Sequence, residues 1–417
     1  MKLLLSLLLL VPALPAAAAE VDPDVYTLED CTRLALRNNG ELQAADQNII
    51  ISRQRVKEAA LLFAPDMGVQ ALAARYAARY PFALSQNFRS VMLFPSDKEN
   101  IFSGQGYMSV SLYEGMRHVN TLRMARTALK QAQTRYDAVK MDLLYSVQHA
   151  FFGLILAQES AAAAEEAAAR AGESAKAAAG RWERLEAEGL AAELRAAAAE
   201  ARHELALARL DFLKGLNKEF DAPVRVSGRL ETKPVHADLA RALLWAAELR
   251  PELRAQTYRS QMDAIAVNLA LGRRYPTVTL GVDYELTGQE FPLRQNNWDA
   301  TVGVRLPFSL DYFTQHTQKV AEQRQGEIAS AELQDQVQLE VRRAWEDLQY
   351  WQAEWPRREE ELKRLKDLSG DLRGDAVQGL RAEVRLLKAR RDWLRSVTEH
   401  ILARARLERA VGRPLTE

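Results

Sequence analysis

The sequence predicts a mostly α-helical chain that contributes four β-strands to a membrane β-barrel shared between copies of itself. Three observations carry this. In residues 276–286, PTVTLGVDYEL, the positions after the proline alternate: Val278, Leu280, Val282, Tyr284 and Leu286 are apolar, and those between are polar or glycine. That is the period of a strand with a different solvent on each face. Elsewhere no proline occurs between Pro95 and Pro223, and Ala, Glu, Arg and Leu dominate, the composition of strong helix. The third observation is that the chain repeats itself.

The repeat sets the organisation and has to be found before single elements are named. Segment 38–65 aligns without a gap on 249–276, so that Glu41 meets Glu252, Leu42 meets Leu253, Val56 meets Val267 and Pro65 meets Pro276, at a constant offset of 211 positions. The offset falls to 194 where Val110 and Leu112 meet Val304 and Leu306, and Val147, Ala150 and Leu154 meet Val341, Ala344 and Leu348. The first half therefore carries the longer loop between its strands. EGLAAEL (188–194) then matches QGLRAEV (378–384). The predicted layout is a signal peptide over 1–19, a first repeat over 20–216 with a strand pair within 67–113, a linker over 217–237 with a short strand at 224–226, and a second repeat over 238–417 with a strand pair within 277–308.

Each element has a local reason. Lys2 precedes the apolar run Leu3 to Leu14 and then PAAAAE, with Ala17 and Ala19 placed for cleavage before Glu20. This reads as a secretory leader, because the run is short of the ~20 residues a spanning helix needs. The strands read as 67–80, 106–113, 277–286 and 298–308; in the last, Trp298, Ala300, Val302, Val304, Leu306 and Phe308 are the apolar set. The loops 81–105 and 287–297 are rich in turn formers. A helix from Val119 to about Glu188 would be on the order of 100 Å long. Helix breaks are expected at Gly189–Leu190 and Gly379–Leu380, where glycine caps a helix C-terminus, and Pro356 is expected to bend the second long helix.

Composition narrows the function. With 56 basic and 56 acidic residues the chain has no global field for nucleic acid. The lone Cys31 excludes an intrachain disulfide framework and stands past YTLED, away from the cleavage site where a lipid anchor would attach. The six histidines are scattered without zinc spacing, and there is no nucleophile elbow, Walker loop or dinucleotide fingerprint, so neither an enzyme nor a cofactor is indicated. Trp345, Tyr350, Trp351 and Trp355 read as inter-helix packing, and Tyr80, Phe82, Phe88, Phe94 and Phe291 as an aromatic girdle. Four strands cannot close a barrel, and membrane barrels must close. The strands match the ~9–11 residues of a membrane-spanning strand. Several chains must then donate strands to one barrel, and three copies supply twelve. Val278, Leu280, Val282, Tyr284, Leu286, Val302, Val304 and Leu306 would face lipid, and Thr277, Thr279, Asp283 and Glu285 the lumen.

The opening YTLEDCTRLALRNNGELQAA, the strand entries at Pro65 and Pro276, the strand-to-helix passages VSLYEGMR and VRLPFSLDYF, the paired GLAAEL and GLRAEV, and the closing RARLERAVGRPL stand in a duplicated order. In that order the chain resembles the TolC-like outer-membrane efflux proteins of Gram-negative bacteria over residues 25–412. The resemblance implies a homotrimer with a twelve-stranded barrel in outer-membrane lipid, continued by a long periplasmic helical barrel with an equatorial belt. It also implies a passive exit duct for efflux or type I secretion, working with an inner-membrane transporter and a periplasmic adaptor, and no nucleic acid. Adaptor contact would fall at the helical tips, at Gly189, Leu190, Gly379 and Leu380. Family members close the entrance with an arginine two residues after the second glycine, as Arg381 stands here, and ring the pore with carboxylates beyond it. Here Arg385 and Lys388 take those places, on one helix face with Arg381, which predicts a basic, anion-favouring entrance. The alternative is a soluble periplasmic coiled-coil scaffold or adaptor, which accounts for the helices but leaves 278–286 and 298–308 in water.

Overall fold

The computed structural model describes residues 25–75, 100–288, 290–308, 311–370 and 376–415. The leader, the end of the first predicted strand, Tyr80, Phe82, Phe88 and Phe94 lie outside them. In chain order the elements are β1 (Val25–Tyr26), α1 (Leu28–Asn38), α2 (Gly40–Leu61), β2 (Asp66–Arg75), β3 (Asn100–Glu114), α3 (Arg117–Lys176), α4 (Arg181–Gly215), β4 (Arg225–Val226), α5 (Leu239–Leu249), α6 (Pro251–Gly272), β5 (Thr277–Gly288), β6 (Gln295–Arg305), α7 (Asp311–Gly370) and α8 (Ala376–Val411). Two short helices, two strands, a 60-residue helix and a shorter return helix thus occur twice in the same order.

The elements stand in four parallel columns. The strands form one antiparallel sheet in the order β2-β3-β5-β6. The helices that enter or leave it keep that order, since α2 packs on α3, α3 on α6, and α6 on α7. Further from the sheet, α4 takes the place of α2 beside α3, and α8 takes the place of α6 between α3 and α7. At ~1.5 Å per residue, α3 and α7 each run on the order of 90 Å. The linker returns to the start of the chain: β4 pairs in parallel with β1, and Ser227 donates to the Tyr26 carbonyl at 2.9 Å.

Three apolar clusters follow the columns. An alanine-rich one, including Ala161, Ala164, Ala167, Ala187, Ala191, Ala198, Leu194 and Leu380, joins α3, α4 and the start of α8. A second, with Val341, Leu348, Leu407 and Val411, joins α5, α7 and the end of α8. The third, with Phe151, Leu154, Phe212 and the buried Cys31, joins α1, α3 and the end of α4. Burial pushes the Cys31 thiol up to about 12, so it packs as an inert small hydrophobe.

Arg250, 4% exposed, clamps the break between α5 and α6. Its guanidinium donates to Glu252 at 3.0 Å, to Glu340 of α7 at 2.8 Å and to the Ala410 carbonyl of α8 at 3.1 Å. A buried charge held this way is satisfied; with its partners removed it would be strongly unfavourable.

Two expected helix breaks fall elsewhere than the sequence reading placed them. The first long helix ends at Lys176, and residues 177–180 turn the chain into α4, so Gly189 and Leu190 lie inside α4 rather than at a break. The cause is capping: the Gly180 N–H donates to Glu183 Oε2 at 3.1 Å, and burial of Ala187 and Ala191 on either side of Gly189 outweighs its ~1 kcal/mol helix penalty. Likewise Gly379 and Leu380 sit in the first turns of α8, not at its boundary. Pro356 lies within α7, which continues through it as one helix.

Where sheet passes to helix, Gly115 (φ 60) and Met116 (φ 64) are both left-handed. A Cβ on Gly115 would be driven into the Gly272 carbonyl oxygen, and one on Gly272 would stand 2.7 Å from the Gly115 oxygen. The two central columns therefore touch backbone to backbone. Gly115→Ala should lose at least ~2 kcal/mol, whereas Gly189→Ala, with nothing within 4 Å of its added Cβ, should gain up to ~1 kcal/mol. Chemical denaturation of the two variants in detergent checks the contrast.

Candidate functional site

The sheet has two faces of opposite character, sharpest on β5 and β6; on β2 the exposed Leu72 lies on the other face from Met67 and Val69. Register places Val278 opposite Val304, Leu280 opposite Val302, Val282 opposite Ala300 and Tyr284 opposite Trp298. On the other side Leu280 and Val282 meet Val110 and Met108 of β3, and Met108 meets Met67 of β2. The apolar face is open: Val69 is 88% exposed, Trp298 72%, Val304 70% and Val302 65%. A patch of this extent is far from what a soluble monomer leaves uncovered. Val278, Leu280 and Leu286 are half-buried between neighbours on the same face, and Leu306, just past the end of β6, is exposed.

The opposite face is polar. Gln70 bonds Gln105, Gln105 Nε2 donates to Asp283 Oδ1 at 3.1 Å, and Asp283 stands directly across from Asp299. Thr301 Oγ1 donates to Asp299 at 3.1 Å. The outer edges of β2 and β6 pair with no strand among the described residues.

An apolar belt marks the sheet–helix junction, with Leu61, Phe63, Leu112, Tyr113, Met116, Tyr275, Phe308 and Phe313 all exposed. Sequence reasoning placed its aromatic girdle in the opposite loops, of which Phe291 is described; it is exposed and stacks at 5.0 Å from Phe102. The junction belt was missed, although the aromatics beside the strand ends were its available signal.

At the other end of the columns, α4 carries two seams. Ala187, Ala191, Leu194, Ala198 and Ala201 are buried in the alanine cluster. Trp182, Leu185, Gly189, Ala192, Ala196 and Ala199 follow the same alternating spacing of three and four on another face, and all are exposed. That is a coiled-coil seam with no partner helix among the described residues. Sequence reading found Gly189 but not its seam, because alanine suits either face; Trp182, 80% exposed, is the residue that betrays it.

The expected basic face on α8 is present but not bare. Arg381 bonds Glu186 of α4. Lys388 lines a groove of about 500 Å³ together with Glu193, Glu204 and Arg391. Arg391 reaches Glu200 at 3.8 Å and Glu204 at 3.4 Å. Arg385 is exposed beside them. The two helices thus meet through a ladder of α4 carboxylates and α8 cations, as interhelical charge pairs do beside an apolar seam.

Between the two ends the linker is fastened to the helices. Val235 N donates to Gln352 Oε1 at 2.9 Å, Trp345 Nε1 donates to the Ala237 carbonyl at 2.9 Å, and Thr232 Oγ1 bonds Nδ1 of the buried His400. Trp351 packs on the neighbouring cluster, and Tyr350 lies edge-on to it at 4.9 Å. Among the described residues no group of three His, Cys, Asp or Glu side chains is placed to hold a metal, and no helix is long and apolar enough to cross a membrane.

No protein-family model matches the chain, and no curated protein matches it by sequence. Solved structures do. The outer-membrane channel CmeC of Campylobacter jejuni is 16% identical with a TM-score of 0.77, over 94% of this chain and 87% of that one. The outer-membrane protein VceC of Vibrio cholerae is 15% identical with a TM-score of 0.78, over 93% and 97%. The open-state outer-membrane channel MtrE of Neisseria gonorrhoeae is 17% identical with a TM-score of 0.77, over 93% and 89%. At these identities the likeness is one of architecture: the chain has the TolC-like fold of outer-membrane channels.

His400 gives the linker contact a pH dependence. Burial, then the nearby Arg404 charge, holds its pKa below the ordinary 6.5. The unfolded chain therefore takes up this proton first as pH falls, so the stability the neutral ring contributes is present above about 6.5 and lost below it. Thermal unfolding should show this acid-side loss in the wild type, with a smaller loss in His400→Asn.

Proposed function

We propose that the chain is a passive exit duct of the outer membrane of a Gram-negative bacterium, assembled as a homotrimer with most of its mass in the periplasm. It serves efflux or type I secretion together with an inner-membrane transporter and a periplasmic adaptor. The observation that carries this reading is the four-column chain itself: one sheet, apolar on one face and polar on the other, with an open edge at each side among the described residues and a helix continuing every strand. Pairing β6 of one copy with β2 of the next saturates both edges, which a membrane requires, and three copies give twelve strands around a water-filled passage.

The apolar face, including Val278, Leu280, Val282, Tyr284, Leu286, Val302, Val304 and Leu306, then meets lipid, and the junction belt sits at the periplasmic interface. Beyond Gly189, the exposed α4 seam at Ala192, Ala196 and Ala199 receives α7 of the next copy. Gly189 on that seam and Gly379 near the start of α8 have open space where a Cβ would be, which favours close approach of an adaptor helix there. Leu190 and Leu380 pack behind them in the alanine cluster. Arg381 and Lys388 border the pore entrance beside glutamates of α4, and Arg385 between them is an exposed cation of the same face.

Membrane fractionation followed by planar-bilayer recording tests the duct. Steady conductance from detergent-extracted trimers is expected; recovery in the soluble fraction without detergent would overturn it in favour of a soluble scaffold. The face assignment has its own test. Val282→Arg should destabilise the assembled barrel by ~2–4 kcal/mol if it lies near the bilayer midplane, while Thr279→Arg should cost less than ~1 kcal/mol. Unfolding in lipid vesicles measures both, and equal costs would mean the faces are assigned wrongly.

A further inference from the structure

Where the polar face of the sheet meets the helices, a recess of about 790 Å³ opens among β5, β6 and the starts of α3 and α7. Four guanidinium groups line it, those of Arg117, Arg273, Arg274 and Arg305, against two carboxylates, Glu114 and Asp311. The carboxylates are already engaged. Glu114 accepts from Ser111 at 2.8 Å and lies 3.0 Å from His118 Nε2 and 3.8 Å from Arg117. Asp311 accepts from Gln315 Nε2 at 2.9 Å. Arg273 donates to the neutral amide oxygen of Gln315. Arg305 is exposed and meets no carboxylate among the described residues. The floor is polar as well, since Thr277 and Thr279 stand on the same side of the sheet as Arg305.

We propose that this recess is an anion-binding collar at the base of the barrel, which holds phosphate- or carboxylate-bearing solutes as they pass from the helical part of the duct into the barrel. Guanidinium forks match the paired oxygens of such groups, and Arg273 and Arg305, which meet no carboxylate among the described residues, raise the local anion concentration in a concave surface. The collar rests on the duct reading, because it needs the polar face to be the lumen. It differs from the tip ladder, where Arg381 bonds Glu186 and Arg391 reaches Glu200 and Glu204. It also lies below the Asp283–Asp299 pair on the same face, so a solute would meet cationic and then anionic groups in turn.

The test uses the full chain in planar bilayers with pyrophosphate as the probe. Pyrophosphate should block the current, and its half-blocking concentration should rise about tenfold in the Arg273→Gln/Arg305→Gln double variant, with Arg305→Lys intermediate. An unchanged half-blocking concentration in the double variant overturns the collar while leaving the duct standing. Absence of any wild-type conductance overturns the duct reading instead, and calorimetric binding of pyrophosphate in detergent, lost in the double variant, would still support the recess as an anion site. Phospholipid that co-purifies with the wild type and is lost from the double variant would identify a lipid headgroup as the occupant and overturn the solute assignment.

Discussion

Neighbouring strands lie ~4.8 Å apart, and neighbouring helices ~8–10 Å. A chain that converts each strand of a sheet directly into a helix has to reconcile those two spacings within a few residues, and the rest of this structure depends on how it does so. The reconciliation falls on the two central columns. At Gly115 and Gly272 the backbones of the β3–α3 and α6–β5 passages are in contact, and no Cβ fits between them. Two successive left-handed residues, Gly115 and Met116, turn the strand into the helix there without a connecting loop. Because no loop intervenes, the sheet's order is inherited by the helices.

That inheritance explains the division of labour along the columns. Two columns are spanned by the unbroken α3 and α7; the other two are each built from stacked shorter helices, α2 with α4 and α6 with α8. The interruptions fall at one level, and the chain's irregular segments gather there. β1 and β4, the Val235–Gln352 and Thr232–His400 contacts, and the Arg250 clamp are all found around these breaks. A buried arginine shared by α6, α7 and the end of α8 fixes the ends of the stacked helices where no continuous backbone could.

The sheet was the most legible part of the sequence, because its two faces differ in chemistry and a period of two leaves no ambiguity about which residues share a face. β5 begins at Thr277 as read, and β6 alternates as read although it starts earlier, at Gln295. β3 was harder: Asn100 to Gly106 is rich in glycine and polar residues, and its pairing with β2 and β5, not its own pattern, makes it a strand. The helical turn near the tip was misplaced because glycine carries two meanings. Gly180 marks the helix start through Glu183, while Gly189 is simply tolerated inside α4. The exposed seam of α4 was hidden for a related reason, since a helix built of alanine displays no contrast between the face that is packed and the face that is free. Charge pairing across helices was equally hidden, so a row of cations on α8 looked bare until the glutamates of α4 were placed beside it.

The alanine-rich cluster has a geometric corollary. Helix spacing follows the size of the side chains at the contact, with small residues drawing axes toward the lower end of the ~8–10 Å range. Between α3 and α4 that contact is made by Ala161, Ala164, Ala167, Ala187, Ala191 and Ala198, while nearer the sheet it is made by Phe151, Leu154 and Phe212. By that rule α3 and α4 should converge away from the sheet, which narrows this side of the four-column ribbon. Ribbons narrowed in this way, set side by side in the proposed ring of copies, would close into a cone, so the taper of that assembly would follow from where this chain uses alanine and where it uses phenylalanine.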